Sequence, residues 1–496
     1  MLTVDEIKRF IDQDAMSEVK SRARVGMRYY NAEHDILQYR MFYYNADGIL
    51  VEDKARANNR ICHPFFTELT DQLASYMLAF EENPIKAKET AEGLQDYLDT
   101  YFDEEFWGEM YDVIAGAYIK GREYIYAYRN EDDRLAFKWA DSMGVIEVRA
   151  QETDDKCEHV IYWYVDRLNK DNKPIKHIMV YDHEKVYYYE ADENGEITLD
   201  EDVEINPRPN VLERDTGTNK LYAGKLGFIP FFPLDYNRER QNGLKPIKAL
   251  IDDYDLMECG LSNNVQDFDN PVYMVKNYDG DNLDELQRNI RTKKIVGVDD
   301  NGDIEIKTID IPYEARKIKA EENEKNIYRF GMGFNSSQTG DGNITNVVIN
   351  SRYTLLKLKA EKFTKRVKPF LKKLVELVID EINEVNGTAY QYTDVYIQFE
   401  HVLPTNEQEN AQIAYTEAQT ENMRINTVLN VSALIGDEES LKRICEILEI
   451  EYDDVKGQLD DLNEPQNTVN AMAELDGVVT DDEQTTETEP AAPFTE

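Results

Sequence analysis

The stretch GMGFNSSQTGDGNITNVVIN, residues 331–350, holds four glycines and no lysine or arginine. Glycines let backbone N–H groups approach an anion closely, so phosphate binding is the first chemistry to consider. A nucleotide P-loop ends in Gly-Lys-Ser/Thr, whereas Asp341 and Asn343 follow Gly340 and Gly342 here. The dinucleotide fingerprint needs a third glycine, but the run Gly331, Gly333 reaches Ser336, and no buried-strand pattern precedes it. His34, His63, His159, His177, His183 and His401 show no H-E-x-x-H or other metal spacing and read as surface or packing residues. Asp299-Asp300-Asn301-Gly302-Asp303 resembles a calcium loop, yet its glycine is at the wrong offset and the twelfth-position Glu is missing, so it reads as a hairpin turn. No G-x-S-x-G elbow occurs, and so acidic a chain produces carboxylate pairs by chance. No catalytic residue, metal ligand or cofactor is expected.

Binding chemistry is more visible. Between Arg352 and Lys373 lie nine basic residues and one acidic residue, Glu361, in a 496-residue chain of formal net charge -43. Lys357, Lys362, Lys365 and Arg366 belong to this run and are candidates for contact with DNA phosphates or with acidic surfaces of a neighbouring copy. A second basic cluster, Arg291, Lys293 and Lys294, suits docking to an acidic partner. The overall charge argues against a protein that coats DNA or an anionic membrane, because long-range repulsion opposes either encounter. Four cysteines, Cys62, Cys157, Cys259 and Cys445, are too dispersed for a zinc site or a disulfide framework and fit a reducing cytoplasm. The N-terminal residues lack the order of a secretory signal, and no apolar run is long enough for a membrane span.

The elements that position these groups follow from periodicity. The length suggests two or more packed units. Thr3 and Glu6 form a capping-box pattern at the start of a helical segment to about 31, with further helices near 64–80 and 91–119. REYIYAYRN, HVIYWYV and KVYYYEADENGEITL then alternate as strands, with Asn194-Gly195 a hairpin signal. A mixed helix and strand domain over 1–240 results. In 241–268, Ile247, Leu250, Tyr254, Met257, Leu261, Val265 and Phe268 form one apolar helical stripe, and Asp252, Asp255 and Glu258 lie off it. A small insertion, 269–311, carries strand-like PVYMVKNY and KKIVGV with a hairpin signal at Asn301-Gly302. A charged helix, 312–330, returns from it, opened by Pro312.

After the 331–350 loop comes the longest helical pattern, in 351–400. Its stripe begins at Ile349 and runs through Tyr353, Leu356, Phe363, Val367, Phe370, Leu374, Val378 and Ile382 to Val385. Pro369 is expected to kink it and Asn386-Gly387 to stop it. A strand-like DVYIQFEHVLP and helices across 401–462 follow. Residues 463–496 form an acidic tail too poor in apolar residues to fold. The fold class is α+β.

SRARVGMRYYNAEHDIL at 21–37, ANNRI at 57–61 and LASYMLAFEENP at 73–84 resemble the opening of tailed-bacteriophage portal proteins of the SPP1 type. The order of helix, β insertion, helix, loop and long kinked helix also resembles the portal stem, small α/β clip, returning stem, tunnel loop and wing helix, with a helical crown after them. The likeness covers roughly residues 20–460 and implies a non-enzymatic dodecameric ring at one capsid vertex of the virion, assembled in the bacterial host cytoplasm. It implies a terminase large subunit driving double-stranded DNA through the ring, a head-tail adaptor docking on the clip, and contacts with major capsid and scaffolding proteins. Under it Ser336, Ser337, Gln338, Thr339, Asp341 and Asn343 line the channel as a neutral loop that touches DNA without gripping it, since phosphate binding there would act as friction. Asp252, Asp255 and Glu258 would repel DNA toward the axis. The alternative from a different class is a nucleic-acid-processing enzyme or packaging-motor component that uses the basic helix 352–373; no Walker motif supports it.

Overall fold

The Thr3 hydroxyl accepts from the Glu6 N–H and the Glu6 carboxylate accepts from the Thr3 N–H, which satisfies two of the donors that a helix start leaves open. In this computed structural model the described residues are 2–45, 47–54, 56–130, 134–150, 157–166, 175–192, 195–214, 221–224, 228–268, 272–276, 303–307, 313–335, 346–401, 407–448, 450–452 and 455. The helical segment to about 31 is made of two helices, α1 (Val4–Ala15) and α2 (Glu18–Tyr30), because Ser17 caps a second start by accepting from the Lys20 N–H. β1 (Phe42–Tyr44), β2 (Leu50–Glu52), α3 (Phe65–Met77) and β3 (Ile85–Ala87) follow. The pattern at 91–119 is likewise divided, into α4 (Leu94–Tyr101) and α5 (Glu104–Lys120), with Asp103 accepting from the Phe106 N–H at 3.0 Å.

β4 (Arg122–Arg129) and β5 (Leu135–Ala140) form a three-stranded antiparallel sheet with a later strand, and β6 (Val145–Arg149) opens a larger one. That larger sheet runs in the order β10-β9-β8-β7-β6, from β7 (Cys157–Asp166), β8 (Ile175–Tyr181), β9 (Lys185–Ala191) and β10 (Ile197–Leu199), with β11 (Arg208–Pro209) also on β9. Gly195 takes a left-handed φ of 76° at the β9–β10 turn, a conformation glycine adopts without steric cost. Alternation divides the large sheet between two cores: Ile178 and Val180 pack with Ile7 and Ile11 of α1, while Tyr181 and Val186 pack with Tyr124 of β4 and Phe231. β12 (Val211–Arg214) pairs with β13 (Leu221–Gly224), and β14 (Phe231–Asp235) joins β4.

Two helices, α6 (Lys248–Phe268) and α7 (Tyr313–Gly331), flank an antiparallel pair, β15 (Val272–Lys276) and β16 (Asp303–Lys307). The expected order of helix out, strands and helix back is observed there; KKIVGV and Asn301-Gly302 lie outside the described residues. Asn323 of α7 donates to Asp253 of α6 at 2.7 Å, Lys319 pairs with Asp253 at 3.3 Å, and Arg316 lies over Gly260. α8 (Asn346–Asn386) runs as one 41-residue helix through Pro369, and Gly387 stops it at φ 66°. Its stripe from Leu356 through Phe363, Val367, Phe370, Leu374 and Val378 to Ile382 joins the main core with α2, α3, α5 and the start of α6, whereas Val385 is exposed. β17 (Val395–Ile397) pairs with β3. A separate unit, residues 344–346 with 405–496, contains α9 (Glu407–Ile435) and α10 (Asp437–Ile447), joined at Gly436, which has φ 84°. No described helix is long and apolar enough to cross a membrane.

Candidate functional site

The inward face of α6 differs from the stripe expected. Ile247, Ile251, Asp255, Cys259 and Asn263, each four residues from the last, are buried, while Leu250, Tyr254, Met257 and Leu261 are only half-buried and Val265 is exposed. The inward line carries an aspartate and an asparagine, so hydrophobicity alone rotates the predicted face.

Asp255 was expected to turn its charge toward a channel; instead its carboxylate is fully buried within the subunit. One oxygen lies 2.6 Å from His34 Nδ1, and the other lies 2.8 Å from His63 Nδ1 and accepts from the His63 backbone N–H at 3.0 Å. Burial alone would raise the Asp255 pKa, but hydrogen bonds from the two histidines overcome it and hold the carboxyl below its ordinary range. His34 Nε2 faces the Tyr29 carbonyl at 3.3 Å, so both of its ring nitrogens are held by oxygen atoms. Cys62 is adjacent in sequence, but burial raises its thiol pKa, which disfavours the nucleophilic thiolate. The cluster therefore works as a fastening between the 34–63 region and α6. Asp252 accepts from the Tyr29 hydroxyl and from Lys248 at 2.7 Å, and Glu258 is half-buried beside an open cleft lined by Asn59, Ile61 and His63.

ANNRI acquires a physical role in this fastening. The Asn59 N–H donates to Asn263 at 2.6 Å, and the Asn59 amide donates to Ser262 at 3.2 Å and Gln266 at 2.9 Å. The Ile61 N–H donates to Cys259 Sγ at 3.2 Å, and Arg60 reaches back to the Leu37 carbonyl at 3.1 Å.

The described start of the glycine-rich stretch is anchored. Gly331 ends α7, and residues 332–345 separate it from α8. A Cβ on Gly331 would stand 2.6 Å from Leu69 Cδ1, and one on Gly333 would stand 2.0 Å from Leu69 Cδ2; these glycines serve close packing. Gln72 of α3 brackets Phe334, donating to its carbonyl at 2.7 Å and accepting from its N–H at 2.9 Å, and the Phe334 ring stacks on Tyr353 at 4.8 Å. Lys359 of α8 completes the root by donating to the Gly331 carbonyl at 3.0 Å and the Leu69 carbonyl at 3.4 Å. Its ammonium lies 4.3 Å from the Tyr118 ring centroid, and burial pushes its pKa down to about 7. Ser336, Ser337, Gln338, Thr339, Asp341 and Asn343, like Arg291, Lys293 and Lys294, lie outside the described residues.

The basic run on α8 divides by face. Lys359 turns inward, whereas Lys357, Lys362, Lys365 and Arg366 are exposed and make no ion pair among the described residues. Among the described residues, one grouping of metal-ligand type appears that linear spacing did not reveal. His177 of β8 faces Glu190 of β9 across the register, and Asp200 follows β10, with all three ligand atoms within 4.8 Å of one another. Two neighbouring strands and the residue just after a third supply one each. The arrangement sets one histidine between two carboxylates, donor types that suit a divalent cation.

A family model, the phage portal protein of the SPP1 Gp6-like type, matches residues 10–453. The chain belongs to this portal family. It is 26% identical over 460 residues to the portal protein of Bacillus phage SPP1, covering 90% of this chain and 88% of that one. It is 23% identical over 414 residues to the portal protein of Clostridium phage phiCD119, covering 77% and 85%. These relatives do not favour the nucleic-acid-processing alternative. For a portal, the cluster at Asp255 and the anchored residues 331–335 are means of holding the two-helix segment and the following loop to the rest of the subunit.

Proposed function

We propose that the chain is one subunit of a twelve-fold ring at a single capsid vertex, through which double-stranded DNA enters during packaging and leaves at ejection. The α6–α7 pair serves as stem, the β15–β16 insertion as clip, residues 332–345 as tunnel loop, α8 as wing helix, and the α9–α10 unit as crown. Membership of the portal family carries this reading, and the order of helix, strand pair, helix, loop and long helix supports its assignment to parts. Asp252 and Glu258 remain the stem acids that meet the duplex. Ser336, Ser337, Gln338, Thr339, Asp341 and Asn343 contact it without a fixed grip. Arg291, Lys293 and Lys294 dock the terminase large subunit and, after it leaves, the head-tail adaptor.

The anchored loop root supports a division of labour. Gln72, Lys359 and Leu69 hold the entry to the loop on the wing, so force on the loop is delivered to the subunit core through hydrogen bonds and packing. Deleting Ser337–Asn343 in the full chain tests the assignment: ring size by light scattering should match the wild type, while DNA packaging into heads should fall at least tenfold. Loss of the ring, with normal packaging in whatever rings remain, would show that the segment is an assembly element.

A further inference from the structure

β1 and β2 form a hairpin whose described apolar side chains are uncovered. Asn45 Oδ1 accepts from the Asp47 and Ile49 N–H groups at 3.0 and 2.9 Å, Gly48 takes φ 72°, and the pairs Tyr43–Val51 and Tyr44–Leu50 face each other across the ladder. The base is fastened: Arg40 pairs with Glu52 at 3.5 Å, the Asp53 N–H donates to the Met41 carbonyl at 2.8 Å, and Asn58 donates to the Tyr39 carbonyl at 3.2 Å. One residue further on, Asn59 is bonded to α6. Yet Phe42, Tyr43, Tyr44, Ile49 and Leu50 are about half to three-quarters exposed and Val51 is 37% exposed, and none belongs to a core among the described residues. Side chains on both faces of the ribbon are apolar, whereas a two-stranded ribbon in water is marginal by itself and a solvated one keeps a polar face.

We infer that this hairpin is an arm that packs on a neighbouring copy of the same chain. Three observations select that occupant. The six side chains leave ~600 Å² of mostly apolar surface in water, approaching the ~800 Å² that one partner contributes to a stable contact. Copies carrying -43 each repel at long range, which favours contact through stretches of little charge, and Phe42–Val51 contains a single charged residue, Asp47. A ring is closed by heterologous contacts, each subunit offering one patch and receiving a different one, and the exposed Leu256, Val265 and Ile318 of the stem helices provide uncovered apolar surface on the same chain. The inference rests on the ring reading above and adds which segment closes the ring.

The test uses the full chain in two forms, wild type and Tyr44→Ser/Leu50→Ser, with far-UV circular dichroism to check equal helix content. Light scattering across a dilution series should show the wild-type ring persisting and the variant dissociating at a protein concentration at least tenfold higher. In parallel, p-benzoylphenylalanine placed at position 44 should, on irradiation, join two copies of the chain, with the cross-linked peptide mapped by mass spectrometry to a second subunit. A variant ring as resistant to dilution as the wild type overturns the arm, as does a cross-link confined to one chain or made to the coat protein in assembled heads. A wild type that stays monomeric at every concentration overturns the ring reading itself, and the arm with it.

Discussion

Lys359 brings an ammonium among two backbone carbonyls and an aromatic ring, with burial as the cause that lowers its pKa to about 7 from the ordinary 10.5. In that window the unfolded chain binds a proton that the folded chain does not, so this residue makes stability rise with pH between about 7 and 10.5. Thermal denaturation of Lys359→Met should lack this contribution. The stability difference between wild type and variant should change by at most about 1.4 kcal/mol per pH unit across the window; parallel curves would show that burial does not perturb the amine. At Asp255 the expectation is different in kind. Asp255→Ala leaves the buried His34 Nδ1 and the His63 N–H without their shared partner and should cost roughly 1–3 kcal/mol per orphaned group in chemical denaturation. A loss below about 1 kcal/mol would mean that the cluster fastens little.

Among the elements, the loop root shows most clearly how sequence can mislead about glycine. Glycines between helical patterns suggest freedom, but Gly331 and Gly333 are required where the backbone passes Leu69. Gly333→Ala should therefore destabilise by roughly 1–3 kcal/mol through overpacking. Adding Leu69→Ala should remove much of that increment, because the cavity it opens accepts the new methyl. A double-mutant cycle by denaturant unfolding measures the coupling, and strict additivity would show that Leu69 is not the obstacle. The same contrast holds on α6. Its helical character was readable from spacing, while its inward line was not, because Asp255 and Asn263 are buried through partners supplied by His34, His63 and Asn59.

For the whole molecule the governing quantity is charge. Chains of -43 can close into a ring only where local attraction exceeds repulsion, and the exposed Lys362, Lys365 and Arg366, which make no ion pair among the described residues, form a basic patch on an otherwise acidic subunit. Lys362→Gln, Lys365→Gln and Arg366→Gln together should weaken the ring most at low ionic strength, where repulsion is unscreened. Light scattering against salt, read beside packaging efficiency, checks this. Variant rings that are stable in low salt but fail to move DNA would instead assign these residues to the duplex.

The α+β class, strands β4, β7, β9 and β10, the helix–strand–helix order and the length of α8 were all determined by the sequence, because periodicity and turn residues act over a few neighbouring positions. The resemblance to portals was legible for a related reason, since it lies in the order of such elements. Tertiary structure alone decided where buried polar groups find their partners. Asp255 meets His34 and His63, and Lys359 meets Gly331 and Leu69. Each of those groups has the composition of a surface residue, and its burial is tolerable only because distant chain segments supply the complementary atom, information that no local window contains.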